Sequence, residues 1–511
     1  MKPRHAAWLW CWILVSAPVW ARLGGGETYS GSSSGGYSPS YSSGGSSSSG
    51  GGEADLIFFL LELIIRYPAV GIPVSLVALG IYALSQSQQQ SEVFRGHPGG
   101  RVSEVVPVEV PDADLFHVKP HHDQNPDPNF SYFLFLDFVS LLFAQVQQGR
   151  TGDLAQVGHY LSPGVRQQLL RLTQNQGVDR VLQPVVGSAR ILSQVRIQGQ
   201  VRLTLTLETN FTEVRGEQPQ RLYTRERWTF VRKEGVLSPG PQPLHQGVGR
   251  LGCPNCGQPG EVSQDGKCPY CDQVVNRGDY GWVVSHLQVV ERESRPALSF
   301  GQQAVERGTD QPTRKHPQLA TRWRTFQARY PNFRWETFES RVRESFLALQ
   351  QAWSEQNWSL ARPYETDALF QTHQYWIEAY RAQGVVNELS DIQVGTIELA
   401  NMATDPYFDA ITVRVFAAMI DVNREKATGK LLGGDPKKAR RFSEYWTFIR
   451  KVGFQPGPER APGSCPGCGA PLDRITQVGL CEYCGSHITC GDFDWVLAQI
   501  EQDESYRPPS S

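Results

Sequence analysis

The sequence predicts an α+β protein in which helices precede an antiparallel sheet, set out twice along the chain. Three observations carry this. Apolar residues recur first at helical spacing and then at every second position. The two patterns come in blocks, helices before strands, rather than alternating as in a parallel α/β sheet. The blocks also echo each other. Asn129-Phe130 returns as Asn332-Phe333, and Trp228-Thr229-Phe230-Val231-Arg232-Lys233 returns as Trp446-Thr447-Phe448-Ile449-Arg450-Lys451. Gly278-Asp279-Tyr280-Gly281-Trp282-Val283 returns as Gly491-Asp492-Phe493-Asp494-Trp495-Val496, and the offsets run from 203 to 218 residues. Order and spacing agree, so an internal duplication is expected.

Length and composition set bounds. At 511 residues the chain exceeds one ordinary domain. With 40% hydrophobic residues it is not wholly disordered. Lys plus Arg number 49 against 51 Asp plus Glu, a net charge of −2, so the basic footprint of a general nucleic-acid binder is missing.

The first 128 residues read as address, tether, anchor and linker. Lys2 and Arg4 precede an apolar run from Trp8 to Val15, and small residues follow through Ala21. That is the pattern of a secretory signal over 1–21, with an uncleaved first membrane helix as the alternative. Residues 22–54 are dominated by Gly and Ser and form a flexible, disordered tether. Residues 56–84 are nearly all apolar and long enough for a tilted transmembrane helix, with Pro68 and Pro73 at a kink. Glu62 and Arg66, four apart, share a helical face and can pair. Arg95 and Arg101 follow the span, so the positive-inside rule places the C-terminal domains in the cytoplasm. Residues 85–128 form a linker in which His117, His121, His122 and Asp123 read as solvated side chains, because nothing fixes them as metal ligands.

Two domains follow, over 129–235 and 320–453. In the second, Phe338, Val342, Phe346, Leu349 and Trp353 mark one helix. Leu369, His373, Trp376 and Tyr380 mark another, ending near Gly384. Ile411, Val413 and Val415 alternate as a half-buried strand, with further strands at 396–399 and 446–450. In the first domain Val201, Leu203, Leu205 and Leu207 alternate likewise. A curved sheet over helices would leave a concave apolar pocket. Residues 278–293 and 491–504 are expected to be short helices anchored by the buried Trp282 and Trp495. Asp137, on an otherwise apolar helix, is read either as a satisfied carboxylate or as a solvent-facing position.

Eight of the ten cysteines form two quartets. Cys253 and Cys256 are followed by Cys268 and Cys271, and Cys465 and Cys468 by Cys481 and Cys484. Paired CxxC units are the spacing of a zinc ribbon, over 251–275 and 463–487, because two tight turns present four thiolates to one ion. Gly257, Gly469 and Gly485 each follow a cysteine, where a positive φ is easily reached. Four thiolates fill the coordination sphere of zinc, so two structural ions are expected; disulfides or a redox dithiol are the alternatives. The ribbons carry few basic residues, so nucleic acid is not an expected partner.

Certain stretches of the second domain carry a resemblance: the run from Phe338 to Trp353, Leu360-Ala361-Arg362-Pro363-Tyr364, and Asn387-Glu388-Leu389. Together they resemble the Tim-forty-four-like domain, named for the membrane-tether subunit of the mitochondrial import motor. The layout of signal, Gly/Ser-rich stretch and span is similar to that of bacterial members. The resemblance covers 320–451 well and 129–233 less closely. It implies a nuclear-transport-factor-two-like cone in each domain, helices packed on a curved antiparallel sheet. It assigns no partner-binding residue.

The expected function is that of a membrane-anchored, non-enzymatic binding or scaffold protein at the cell membrane, its duplicated cones holding protein or lipid. A link to protein translocation or membrane-protein handling would rest on family analogy alone. The alternative is an enzyme or small-ligand binder using a cone pocket, with Asp137 and His159, or Asp391 and His373, as acid–base partners.

Overall fold

The computed structural model describes residues 127–238, 251–294, 308–454, 464–472, 475–476, 479–503 and 505–508. All of them fall in one compact unit. The expected signal, tether and membrane span, and the linker up to residue 126, lie outside the described residues.

The first module opens with helix α1 (Tyr132–Gly149). Ser131 caps it, its hydroxyl accepting from the Leu134 N–H at 3.2 Å. A short 3-10 turn (Ala155–Tyr160) leads to α2 (Pro163–Gln176). There Ser162 caps, Pro163 opens, and Gly177 closes with a φ of 60°. Strands β1 (Arg180–Ile197), β2 (Gln200–Arg215), β3 (Gln218–Lys233) and β4 (Val283–Ser294) form an antiparallel sheet in that order. Val201, Leu203, Leu205 and Leu207 are buried as the alternation predicts.

The second module has α3 (Leu319–Arg329), α4 (Trp335–Ser354), a 3-10 turn (Trp358–Tyr364) and α5 (Asp367–Ala382). Strands β5 (Val385–Thr404), β6 (Phe408–Glu425), β7 (Leu431–Gly434), β8 (Arg440–Lys451) and β9 (Val496–Gln502) follow. The sheet runs β5-β6-β8-β9, with β7 paired to β6. Both predicted helical stripes are buried.

Several expectations are corrected. The stretches at 278–293 and 491–504 contain strands β4 and β9, not short helices, and each completes the sheet of its own module. The cause is a bulge. Phe230 pairs with Val284 and Thr229 with His286, and likewise Phe448 pairs with Leu497 and Thr447 with Gln499. The skipped residue moves the inward positions from two apart to three, at Val284 and Leu287 and at Leu497 and Ile500. That spacing imitates a helix.

The cone is not adopted as the description of either module. The space between helices and sheet is filled, by Phe143 and Trp228 in one module and by Phe346, Trp353 and Trp446 in the other. What stands is α+β, helices packed on antiparallel sheets. No helix among the described residues is long and apolar enough to cross a membrane. The expected transmembrane anchor, membrane partner and cell-membrane location find no support among the described residues.

The two modules share a junction. Val185 of β1 packs into the core of the second module, and the Thr372 hydroxyl of α5 donates to the Val186 carbonyl at 3.2 Å. Ser131 donates to Asp405 at 2.6 Å, and Arg190 donates to the Ser505 carbonyl at 3.0 Å. Buried Arg414 gathers the segment before α3 and the segment after β9. It donates to the Gly308 and Gln311 carbonyls, both at 2.7 Å, and pairs with Asp503 at 3.0 Å.

Candidate functional site

Each cysteine quartet lies between the third and fourth long strands of its own module. The sulfurs of Cys253, Cys256, Cys268 and Cys271 all lie within 4.8 Å of one another, as do those of Cys465, Cys468, Cys481 and Cys484. In the first cluster Cys253–Cys271 and Cys256–Cys268 are separated by 3.8 and 3.9 Å; in the second Cys465–Cys484 and Cys468–Cys481 are separated by 3.8 and 3.9 Å. A tetrahedron of thiolates about 2.3 Å from a central ion has edges of about 3.8 Å. A disulfide would bring two sulfurs to about 2.05 Å. The geometry fits a metal and not a disulfide.

The turns explain the fit. The amides of Gly257, Asp272, Gly469 and Gly485 donate back to the carbonyls of Cys253, Cys268, Cys465 and Cys481 at 2.8 to 3.0 Å. These four residues all have positive φ, and Asp272, at 63°, takes without a glycine the conformation that the other three reach easily. Burial pushes the Cys253 and Cys465 thiols up to about 12, so a cation is needed to hold four thiolates together there. The described residues thus contain two four-cysteine clusters able to hold a metal ion. They are not ribbons in the strict sense, because among the described residues around the cysteines there are only isolated bridges, such as Lys267 with Val274 and Leu480 with His487, and no paired strands.

Each cluster is docked on the 3-10 turn of its module. In the first, the Val262 amide donates to the Ala155 carbonyl at 3.2 Å and the Tyr160 hydroxyl to the Gly252 carbonyl at 2.6 Å. In the second, buried Arg362 pairs with Asp367, which also accepts from Thr489 at 3.2 Å and lies 3.6 Å from His487 Nε2. Burial opposes the charged form of Asp367, but His487 and Arg362 outweigh it and hold the carboxyl below its usual range.

A cavity of about 670 Å³ lies at the junction of the modules. From the first it is lined by residues including Phe133, Leu136, Asp137, Val186 and Ala189, and from the second by residues including Met402, Ala498 and Ile500. Asp137 is exposed, its side chain lining the open space of the cavity. Desolvation by the surrounding cavity walls, aided by the Asp367 carboxylate, pushes its pKa up to about 7. Burial likewise raises Glu501 to about 7, against the pull of Arg190 at 3.9 Å.

The structure does not assemble the acid–base pairs expected from sequence. His159 is fully buried, its pKa lowered by burial, and it does not line the cavity. His373 Nδ1 lies 2.6 Å from Glu365 Oε2, both buried, with the Trp358 ring against the imidazole. Asp391 instead sits exposed on β5 with a φ of 50°. Glu365 is missed by sequence reasoning, although it directly follows the Arg362-Pro363-Tyr364 block and precedes the α5 cap.

Comparison with known proteins fits one module only. The family model described as the Tim44-like domain matches residues 319–459, less than a third of the chain. The match stops before the second cysteine cluster and before β9. The expected duplicated family domain is corrected on this finding, since 129–235 falls outside the match. No curated protein matches the chain.

Proposed function

We propose that this chain is a non-enzymatic binding protein that holds a small, largely apolar ligand in the cavity between its two modules. The observation that carries this is the cavity itself, about 670 Å³ and lined from both modules. Pockets for small ligands run from about 300 to 1,000 Å³ and are mostly apolar with a few placed polar groups.

The two clusters bind zinc in a structural role on this reading. Four thiolates leave no open coordination position for a reacting water, so Cys253, Cys256, Cys268 and Cys271, and Cys465, Cys468, Cys481 and Cys484, would fix the return of the chain into β4 and β9. His159 and His373 are buried among core side chains, which favours binding over acid–base turnover.

The test is a titration of the full-length protein with N-phenylnaphthylamine, a neutral apolar fluorophore. Saturable enhancement at one probe per chain is expected. Absence of any saturable site would overturn the reading.

A further inference from the structure

We infer that the cavity takes an amphipathic cation, an apolar body bearing a protonated amine, with the ammonium group seated on Asp137. The inference rests on the cavity being a ligand site and names the chemistry of that ligand.

Asp137 is the only charged residue in the 18 residues of α1. Its neighbours Leu136 and Phe133, with Val186, Met402 and Ile500 across the cavity, supply an apolar wall. The other charges that line the space are engaged. Arg190 faces Glu501 at 3.9 Å, Arg322 donates to the Met402 carbonyl at 2.9 Å, and Arg329 lies 3.4 Å from Asp409. Asp405 accepts from Ser131 at 2.6 Å and from the amides of Tyr407 and Phe408 at 2.8 and 2.7 Å. Arg507 donates to the Tyr506 carbonyl at 2.8 Å, and Glu208 also has a partner. Asp137 has no hydrogen bond or ion pair among the described residues.

Asp137 is exposed to the cavity. A ligand that fills the cavity takes water from this carboxylate, and a ligand that brings a cation with its own donors offsets that loss. An anionic amphiphile would instead meet Asp137 with like charge. The raised pKa of Asp137 agrees with a carboxylate that lacks its counter-ion.

The experiment compares decylamine, decanol and decanoate as competitors for N-phenylnaphthylamine on the full-length protein at about pH 8, where the amine is protonated and Asp137 ionised. Decylamine is expected to bind at least about tenfold more tightly than decanol, a difference of about 1.4 kcal/mol, with decanoate weakest. Asp137→Asn should bring decylamine to the level of decanol and leave decanol unchanged, which also shows that the variant is folded. Equal binding of amine and alcohol, or an amine preference that survives Asp137→Asn, would overturn the inference while leaving the cavity reading intact. If none of the three competes and the fluorophore does not saturate, the cavity reading itself fails.

Discussion

The two modules solve the same joints with different cores. In the first, Trp228 Nε1 donates to Glu226 at 2.8 Å; in the second, Trp446 Nε1 donates to Glu444 at 3.0 Å. Arg232 lies 4.3 Å over Trp282, and Arg450 lies 4.3 Å over Trp495. The Ser162 amide donates to the Val284 carbonyl at 3.0 Å, and the Thr366 amide to the Leu497 carbonyl at 2.9 Å. Lys233 meets the Gly278 carbonyl, and Lys451 the Gly491 carbonyl, both at 2.8 Å. Yet the first core leans on Leu203, Leu205, Leu207 and their aliphatic neighbours, whereas the second is built around Trp353, Trp358 and Trp376. The attachment of the cluster differs too, being mainly neutral in the first module and ionic in the second. Joints constrain particular atoms, while a core constrains total volume and polarity. A family pattern written in core residues therefore reads one module and passes over the other.

The largest effects should come from the clusters. Cys256→Ser and Cys468→Ser should each remove one of two zinc ions per chain by elemental analysis. Structural zinc is worth on the order of 10 kcal/mol in small metal-dependent folds. Each variant should therefore lose hydrogen-exchange protection in the fourth long strand of its own module, β4 or β9. A cluster whose loss left its strand protected would break the parallel between the modules.

Next come the buried tryptophans. Trp228→Ala and Trp446→Ala should each cost about 3–5 kcal/mol in denaturant unfolding, since both empty a large core site and remove a donor from a buried glutamate. Unequal costs would show which core closes better around a void.

The docking contacts should then separate the modules. Arg362→Ala leaves Asp367 without its guanidinium and should cost about 3 kcal/mol. Tyr160→Phe removes one neutral hydrogen bond and should cost about 1 kcal/mol. Both variants should retain two zinc ions.

The smallest effect is that of pH. Asp137 titrates near 7 when folded, against its ordinary value of 3.8. Between those values the folded chain holds a proton that the unfolded chain has lost, so stability falls as pH rises through that window. Asp137→Asn removes this loss. Its melting temperature should exceed that of the wild type at about pH 8 and match it at about pH 4. The exposure of Asp137 to the cavity keeps the gain small.

Much of the fold was legible in the sequence. The helical stripes at Phe338–Trp353 and Leu369–Tyr380 and the alternation at Val201–Leu207 are local patterns, and local patterns survive folding. The quartets were legible because thiolate chemistry demands their spacing. Strands β4 and β9 were not, because one bulge in each converted a two-residue period into three. The partner of His373 was hidden because Glu365 reaches it across a helix cap. The cavity was hidden because it belongs to neither module alone, and only the junction brings Ala189 and Ala498 to one space.

The central claim is that one ligand site is shared by both modules. Ala189→Trp fills the cavity from β1 and Ala498→Trp fills it from β9. Titration of both full-length variants with N-phenylnaphthylamine tests the claim most directly. The account predicts that each substitution alone abolishes saturable binding while two zinc ions remain bound. Loss of binding in one variant with full binding in the other would place the site within a single module and contradict it.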